Sequence, residues 1–256
     1  MSDLPNISIL TPTFDRKQFL QLMITNVCGQ DYPKDKLEWT ILDSWGRDGT
    51  KCEPMLNDRE IKEISNGIAP IKLNYHFVPK KMDIGEKRNK LVKLSSNKIF
   101  VNMDSDDIYL SSYVKTLVAE LKGKVSIAGS PEMMFVYPLH NYQYSFIRCP
   151  SYRQIHEGAM GFTLKHFRRM KGFETSGTGE GAGMFDGCGE QCFKKVDITK
   201  LMCCICHENN TCNKDRFLEH KVEAEVQGAQ MDFLKKMYPP VTDDDTVIVE
   251  KSSDSD

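Results

Sequence analysis

The first 123 residues alternate between short apolar runs and segments in which apolar residues recur with helical spacing. Apolar runs of roughly four to eight residues are typical of buried strands, and strands that alternate with helices form mostly parallel sheets. The sequence therefore predicts an α/β fold with helices on both faces of a mostly parallel, Rossmann-like sheet. The predicted strands span residues 7–10, 37–42, 71–78 and 99–103. The predicted helices span residues 19–27, 53–65, 85–94 and 109–121.

From residue 124 onwards the pattern changes to short strands with short connections, which predicts a smaller, mixed β region. Residues 1–123 and 124–240 would then be two halves of one domain, followed by a disordered acidic tail over 241–256. Seven glycines between Gly172 and Gly189 predict a flexible loop over a site. The predicted strands are 125–128, 133–137, 142–147, 156–162 and 196–206, and the predicted helices are 165–171 and 216–237.

The composition narrows the class of protein. The 256 residues carry a formal net charge of -2 with acids and bases interspersed, so no overall field favours nucleic acid. No apolar stretch approaches the roughly 18 residues that a membrane span needs. The N-terminus lacks the basic and then apolar pattern of a secretory signal. We therefore expect a cytoplasmic protein without a membrane span.

Three carboxylates follow the predicted strand 99–103: Asp104, Asp106 and Asp107. Ligands of open α/β sheets bind outside the carboxyl ends of the strands, where this cluster lies. Three neighbouring carboxylates repel one another unless a cation neutralises them, and their oxygens suit Mg²⁺ or Mn²⁺. The alternative is a polar turn in which Asp106 or Asp107 caps the following helix. Asp43 ends the second strand, and Arg88 begins a helix, where an anion also meets free backbone N–H groups.

The order of these segments resembles that of family 2-type glycosyltransferases with the GT-A fold. The resemblance spans about residues 6–212, and each motif by itself is weakly specific. It rests on 7–16, on Leu42-Asp43-Ser44 with Asp48-Gly49-Thr50, on Gly85-x-x-Arg88-Asn89, on Asn102-Met-Asp104-Ser-Asp106-Asp107, on 158–162, 165–169 and Gly172-Phe173, and on His207-Glu-Asn-Asn210.

The resemblance implies metal-dependent, inverting transfer of a sugar from a nucleotide-diphosphate sugar to a hydroxyl of a glycan or protein acceptor. A UDP-sugar is favoured as the donor, and a GDP-sugar is possible. In this reading residues 1–123 bind the donor and 124–240 bind the acceptor. Asp43 would accept from the base, Asp106 would hold Mn²⁺ or Mg²⁺, and His207 would be a further ligand of the metal or diphosphate. The implied donor-binding residues are Thr11, Pro12, Thr13, Asp43, Arg88, Asp104 and Ser105.

The family's catalytic base is the second member of a Glu-Asp pair, and this chain departs from that pattern. It has Gly179-Glu180-Gly181 instead, and Asp186 follows five residues after Gly181. Such a base must reach the acceptor hydroxyl and remove its proton during attack. We predict Glu180 as the base, with Asp186 second and with Glu157 and Glu190 left open.

Two other functions remain as alternatives. A nucleotidyltransferase of nucleotide-sugar synthesis has a related fold, but residues 11–16 lack the glycine-rich first loop expected for it. A zinc-stabilised interaction module is suggested by six of the nine cysteines, although the usual C-x₂-C pairs are absent. These six are Cys188, Cys192, Cys203, Cys204, Cys206 and Cys212.

Overall fold

The computed structural model describes residues 4–44, 53–151, 153–175, 179–210 and 214–240. Within these ranges the α-helices are α1 (Leu20–Cys28), α2 (Asp58–Gly67), α3 (Ile84–Leu94), α4 (Tyr113–Glu120), α5 (Leu164–Met170) and α6 (Ala229–Met237). The strands are β1 (Ile7–Thr13), β2 (Leu37–Ser44), β3 (Lys72–Val78), β4 (Ile99–Asn102), β5 (Ile108–Tyr109), β6 (Ile127–Gly129), β7 (Glu132–Tyr137), β8 (Gln143–Arg148), β9 (Gly161–Thr163), β10 (Phe193–Lys195), β11 (Met202–Ile205) and β12 (Lys221–Val222). None of the helices in the described part of the chain combines the length and the apolar character that crossing a bilayer requires.

The larger sheet has the strand order β10-β6-β9-β4-β1-β2-β3. Its strands pair in parallel, except that β9 runs antiparallel to β4 and β6. A smaller mixed sheet has the order β12-β8-β7-β11-β5. The predicted mostly parallel sheet and the smaller mixed β region are both confirmed. Three strands from residues 124–240 complete the larger sheet, so both parts of the chain build it.

Alternation along the central strands separates two apolar cores. Ile9 and Val101 face one core together with α1, α4 and much of the smaller sheet. Leu10 and Phe100 face the other core together with α3 and α5. Successive side chains of a strand point to opposite faces, so a strand covered on both faces must be apolar throughout. This is the physical reason why the central strands read as continuous apolar runs.

The parallel register brings the polar strand ends to one edge. Thr13 of β1 pairs with Asp43 of β2, and Leu10 of β1 pairs with Asn102 of β4. The strand β4 therefore ends beside Leu10, three residues before the end of β1. Residues 103–107, which we call the acidic loop, begin at that point. The Asn26 side chain of α1 donates to the Asp107 carbonyl at 2.8 Å and accepts from the Tyr109 N–H at 3.0 Å. The loop is therefore anchored at its base.

Some predicted boundaries are wrong. The helix predicted over 216–237 begins only at Ala229, because Lys221 and Val222 pair with β8 and Gly228 has a φ of 108°. The helix predicted from residue 109 begins at Tyr113, because residues 108 and 109 pair with β11. In both places the backbone bonds to a distant strand instead of to its own helix. The predicted tail over 241–256 and the Asp48-Gly49-Thr50 motif lie outside the described residues.

Gly85 provides a test of how α3 packs against residues 172–189, which we call the glycine-rich segment. A Cβ on Gly85 would lie 1.7 Å from the carbonyl oxygen of Glu174. We expect Gly85→Ala to lower the free energy of unfolding by about 1–3 kcal/mol, because backbone must move to admit the methyl group. Urea unfolding measures this difference.

The matched control is Gly67→Ala at the end of α2, where an added Cβ meets nothing within 4 Å. Alanine is the better helix former, so this variant should be neutral or more stable by up to about 1 kcal/mol. Equal effects of the two substitutions would contradict the close packing of α3 on the glycine-rich segment.

Candidate active site

A cavity of about 830 Å³ opens where the ends of β1 and β4 face the smaller sheet. Thr13, Arg88 and the acidic loop line it from the first half of the chain. Phe135 and Glu180 line it from the second half. The predicted donor-site residues Pro12, Asp104 and Ser105 lie here too. The structure thus brings most of the predicted site residues to one cavity.

Arg88 is buried at the centre of the site. Its Nε donates to Glu180 Oε1 at 2.9 Å, and its Nη2 donates to Asp104 Oδ2 at 3.1 Å. Burial by itself lowers the pKa of Arg88, but the charges of Asp104 and Glu180 outweigh it and raise that pKa. The guanidinium therefore stays charged and joins the acidic loop to the glycine-rich segment. Its Nη1 is buried without a hydrogen-bond partner among the described residues.

The Asp106 carboxylate lines the same cavity and contacts two side chains, Arg16 and His207. Arg16 Nε donates to Asp106 Oδ2 at 2.9 Å, and His207 Nε2 lies 3.3 Å from the same oxygen. Burial raises the pKa of Asp106, but the His207 hydrogen bond and the charges of Arg16 and Lys214 outweigh it and hold that pKa below its usual range. The Asp106 carboxylate is therefore ionised at neutral pH and lies beside an imidazole.

Asp107 has a different environment. Its Oδ1 accepts from the N–H of Ile205 at 3.0 Å, which ties the acidic loop to β11. Burial raises the pKa of Asp107 to about 7, with Lys214 opposing the shift and Asp104 and Asp106 adding to it. Asp107 thus holds the loop against the smaller sheet, while Asp106 presents its charge to the cavity.

Thr11 and Asp43 lie behind the cavity wall and are buried. Thr11 Oγ1 accepts from the indole N–H of Trp39 at 2.9 Å. Asp43 Oδ2 accepts from the N–H of Met55 and from the hydroxyl of Tyr75, each at 2.7 Å. Thr13, by contrast, lines the cavity, and its Oγ1 is buried without a partner among the described residues. Thr13 can therefore accept or donate a bond to a bound molecule.

Sequence reasoning missed Lys87, which is buried beside Arg88 and lines the cavity. Its Nζ donates to the Thr13 carbonyl at 2.9 Å. Burial lowers the pKa of Lys87 to about 8, with the charge of Asp43 opposing the shift and that of Arg16 adding to it. In the sequence, Arg88 marks the start of the helix, but no local pattern shows that the side chains of Lys87 and Arg88 both turn inward.

The four acids considered for the base lie in different places. Glu180 and Glu157 line the cavity. The structure does not bring Asp186 or Glu190 there, and both are exposed. The chain turns through Glu180–Phe185 as a 3-10 helix that buries Met184 and Phe185, which leaves Asp186 facing solvent.

The cysteines do not form one cluster in the described part of the chain. Cys188 and Cys192 lie in the core with α3, whereas Cys203, Cys204 and Cys206 lie on or next to β11 in the other core. Cys212 lies outside the described residues.

Donor atoms of Asp107, His156 and Cys204 come within 4.8 Å of one another. Burial raises the pKa of the Cys204 thiol well above its usual value, and Asp107 adds to that shift while Lys214 opposes it. Structural zinc sites use thiolates and four ligands. This group of three contains only one of the six cysteines, so the described residues do not assemble the predicted cysteine cluster into a four-ligand site.

Comparison with known proteins decides the family. The model of glycosyl transferase family 2 matches residues 8–175, which is more than half of the chain. The chain belongs to glycosyl transferase family 2. No curated protein matches the sequence significantly. The predicted family is thereby confirmed.

Solved structures share its fold at low sequence identity. The mannosyltransferase PcManGT from Pyrobaculum calidifontis, in complex with GDP-Man and Mn²⁺, has a TM-score of 0.60 and 15% identity over 81% of this chain and 59% of that chain. S. aureus TarS 1-349 in complex with UDP-GlcNAc has a TM-score of 0.58 and 13% identity over 86% of this chain and 62% of that chain. The family 2 chain thus spans about three fifths of these structures, and the GT-A fold is confirmed.

The Arg88 bridge generates a stability prediction. We expect Arg88→Met to lower the free energy of unfolding by about 3 kcal/mol, because it leaves Asp104 and the buried Glu180 without a counter-charge. Urea unfolding at pH 7 measures the loss. The matched control is Arg59→Met, since Arg59 is an exposed residue that pairs with Glu63 at 2.7 Å. An exposed pair of this kind contributes less than about 0.5 kcal/mol, so similar losses in both variants would contradict the central role of Arg88.

Proposed function

We propose that this family 2 glycosyltransferase moves a sugar from a nucleotide-diphosphate sugar to an acceptor hydroxyl, with a divalent metal and with inversion at the anomeric carbon. One observation carries the proposal. A single cavity is lined by Arg88, Thr13 and Asp106, and the Asp106 carboxylate lies against His207. Arg88 Nη1 and Thr13 Oγ1 are buried and have no hydrogen-bond partner within the described ranges. These are groups for an anion, for a polar ligand and for a cation.

The donor site is proposed from the charges that face this cavity. Arg88 and Lys87 supply buried cations, and a diphosphate is the dianionic group that such a pair suits. Thr13 offers a hydroxyl next to them. We keep Thr11, Asp43 and the ribose contact of Asp104 as the proposed nucleoside side. Structures of the same fold hold GDP-Man, UDP or UDP-GlcNAc, which supports a UDP- or GDP-sugar here.

The residues present fit a divalent metal. Asp106 lines the cavity, and His207 Nε2 lies 3.3 Å from its Oδ2. This mixed oxygen and nitrogen donor set suits Mn²⁺ better than Mg²⁺. Mn²⁺ is also the ion named for the Pyrobaculum mannosyltransferase. A bound metal would act as a Lewis acid for the departing diphosphate. Arg16 Nε pairs with the same carboxylate oxygen at 2.9 Å.

The acceptor is proposed to enter from the smaller sheet. Phe135, Ile147 and Phe217 line that side of the cavity. Apolar walls with a few polar groups orient a ligand, as transfer to an acceptor hydroxyl requires. We propose a glycan or a protein hydroxyl as the acceptor. Glu180 is held by the Arg88 guanidinium, and this contact favours a role in positioning Arg88 over the predicted role as the base.

Asp106→Asn tests the metal. The variant is nearly isosteric and should keep the fold, but it should lose most of the Mn²⁺-dependent thermal stabilisation by UDP or GDP, because binding stabilises the folded state by mass action. Thermal shifts are measured with each nucleotide, with and without Mn²⁺. Asp83→Asn is the matched control, since Asp83 is an exposed carboxylate on the same cavity. The metal assignment is wrong if the shift of Asp106→Asn equals that of the wild type.

Lys87 makes nucleotide affinity depend on pH. An anion binds the charged amine better than the neutral amine, so affinity is highest below the Lys87 pKa of about 8 and falls as pH rises through it. One charged hydrogen bond corresponds to a loss of about tenfold. Calorimetric titration with UDP or GDP between pH 7 and pH 9 should show this fall. Lys87→Met should bind weakly with a flatter profile, and an unchanged fall in that variant would assign the titration to another group.

A further inference from the structure

The carboxylates of the cavity have distinct partners. Asp104 and Glu180 share Arg88, and Asp106 lies between Arg16 and His207. The remaining cavity carboxylates are Asp83, Asp107 and Glu157. Asp83 is exposed on the rim, and Asp107 is bound to the backbone of β11. Glu157 is the one among the described cavity acids that none of these contacts explains.

Glu157 is anchored next to the acidic loop. Its carbonyl accepts from the Asn102 side chain at 2.8 Å, at the end of β4. The carbonyl of the following residue, Gly158, accepts a hydrogen bond from the Tyr113 hydroxyl at 2.7 Å. A Cβ on Gly158 would lie 2.8 Å from Asp104 Oδ2. The backbone of Glu157 is therefore fixed against the strand end that carries the proposed donor site.

The side chain of Glu157 lies on Gly181 in the glycine-rich segment. Its Oε1 accepts the Gly181 N–H at 3.0 Å. A Cβ on Gly181 would lie 2.8 Å from that oxygen and 2.8 Å from Glu157 Cγ. Any side chain at position 181 would collide with this carboxyl group. Because Gly181 has no side chain, the Glu157 carboxyl group fits against it, next to Glu180, which pairs with Arg88.

We propose that Glu157 is the catalytic base of the sugar transfer, so this inference rests on the proposed function. Its carboxylate takes the proton of the attacking hydroxyl while the hydroxyl oxygen forms a bond to the anomeric carbon. The bond from the anomeric carbon to the diphosphate oxygen breaks at the same time, and its electron pair leaves with the diphosphate. Glu157 ends this step as a neutral acid and returns the proton to solvent.

The charges around Glu157 suit this role. Burial raises its pKa to about 7, the negative charge of Glu180 adds to the shift, and Arg88 opposes it. Burial raises the pKa of the Cys149 thiol, and the charge of Glu157 adds to that shift. A base is most effective when its pKa lies near the working pH, since it is then both available and strong enough. Glu180, by contrast, already accepts a hydrogen bond from Arg88 Nε at 2.9 Å, so its carboxylate is engaged in positioning the guanidinium.

The first test is Glu157→Gln, assayed as release of UDP from UDP-GlcNAc and of GDP from GDP-mannose, with Mn²⁺ and with water as the acceptor. The amide oxygen can still accept the Gly181 N–H, so the fold and nucleotide affinity should stay near wild type. We expect kcat to fall by about 10²–10⁴-fold, the usual contribution of a general base. A wild-type kcat in this variant would overturn the proposal. Glu190→Gln, at an exposed glutamate away from the cavity, is the matched control and should keep full activity.

The second test moves the carboxylate across the contact. Glu157→Ala removes the group that a side chain at position 181 would meet, so Gly181→Asp in the same protein places a carboxylate in the vacated space. This double variant should turn over at least tenfold faster than Glu157→Ala with Gly181→Asn, which has the same shape and no base. Equal rates for the two double variants would overturn the proposal.

The outcomes also separate this inference from the proposed function. A wild-type protein that shows no Mn²⁺-dependent thermal stabilisation by UDP or GDP and releases neither nucleotide contradicts the proposed function, and the inference falls with it. A wild-type protein that releases it while Glu157→Gln does so equally fast leaves the proposed function in place and overturns the inference alone.

Discussion

The charge of Arg88 is the constraint on which the site depends. A buried guanidinium is stable only when nearby carboxylates compensate for the hydration that it loses. Removal of one partner leaves an uncompensated charge in the interior, which destabilises the fold. Its two carboxylates come from parts of the chain 16 and 92 residues away. Their pairing with Arg88 therefore fixes the acidic loop and the glycine-rich segment relative to α3. The cavity takes its shape from that three-way contact.

Close backbone approach is the second requirement, and it changes the meaning of the glycines. The sequence suggests a flexible loop over 172–189, but part of it forms a 3-10 helix, and Glu174 N–H donates to the Glu180 carbonyl at 2.9 Å. Gly85 admits the Glu174 carbonyl, and Gly181 admits the Glu157 carboxyl group. A side chain at either position would separate the surfaces that build the cavity. These glycines serve contact as much as conformational freedom.

The cavity also divides its acids by environment. Asp106 is held ionised by His207, Arg16 and Lys214, while burial raises the pKa of Asp107, its chain neighbour, to about 7. The pKa of Glu157, whose backbone is anchored next to the acidic loop, is shifted in the same direction as that of Asp107. Acids of one chemical type can thus bind a cation, hold a loop or accept a proton, because burial and neighbouring charges set their ionisation separately.

The sequence by itself determined the fold class and the family, and it predicted a candidate site at the strand ends. Continuous apolar strands that alternate with helices can only be buried between two helical layers, and the acids and Arg88 stand at strand ends and a helix start. Only the tertiary structure decided which acids face the cavity. Asp186 and Glu157 are each followed by a glycine in the sequence, yet one faces solvent and the other lies on Gly181. The inward turn of Lys87 and the strand pairing that shortens the helix at 216–237 were likewise invisible, because both depend on partners distant in the chain. Local pattern reports the period and the polarity of a segment, whereas contacts between distant segments set each side chain's burial, charge partners and chemistry.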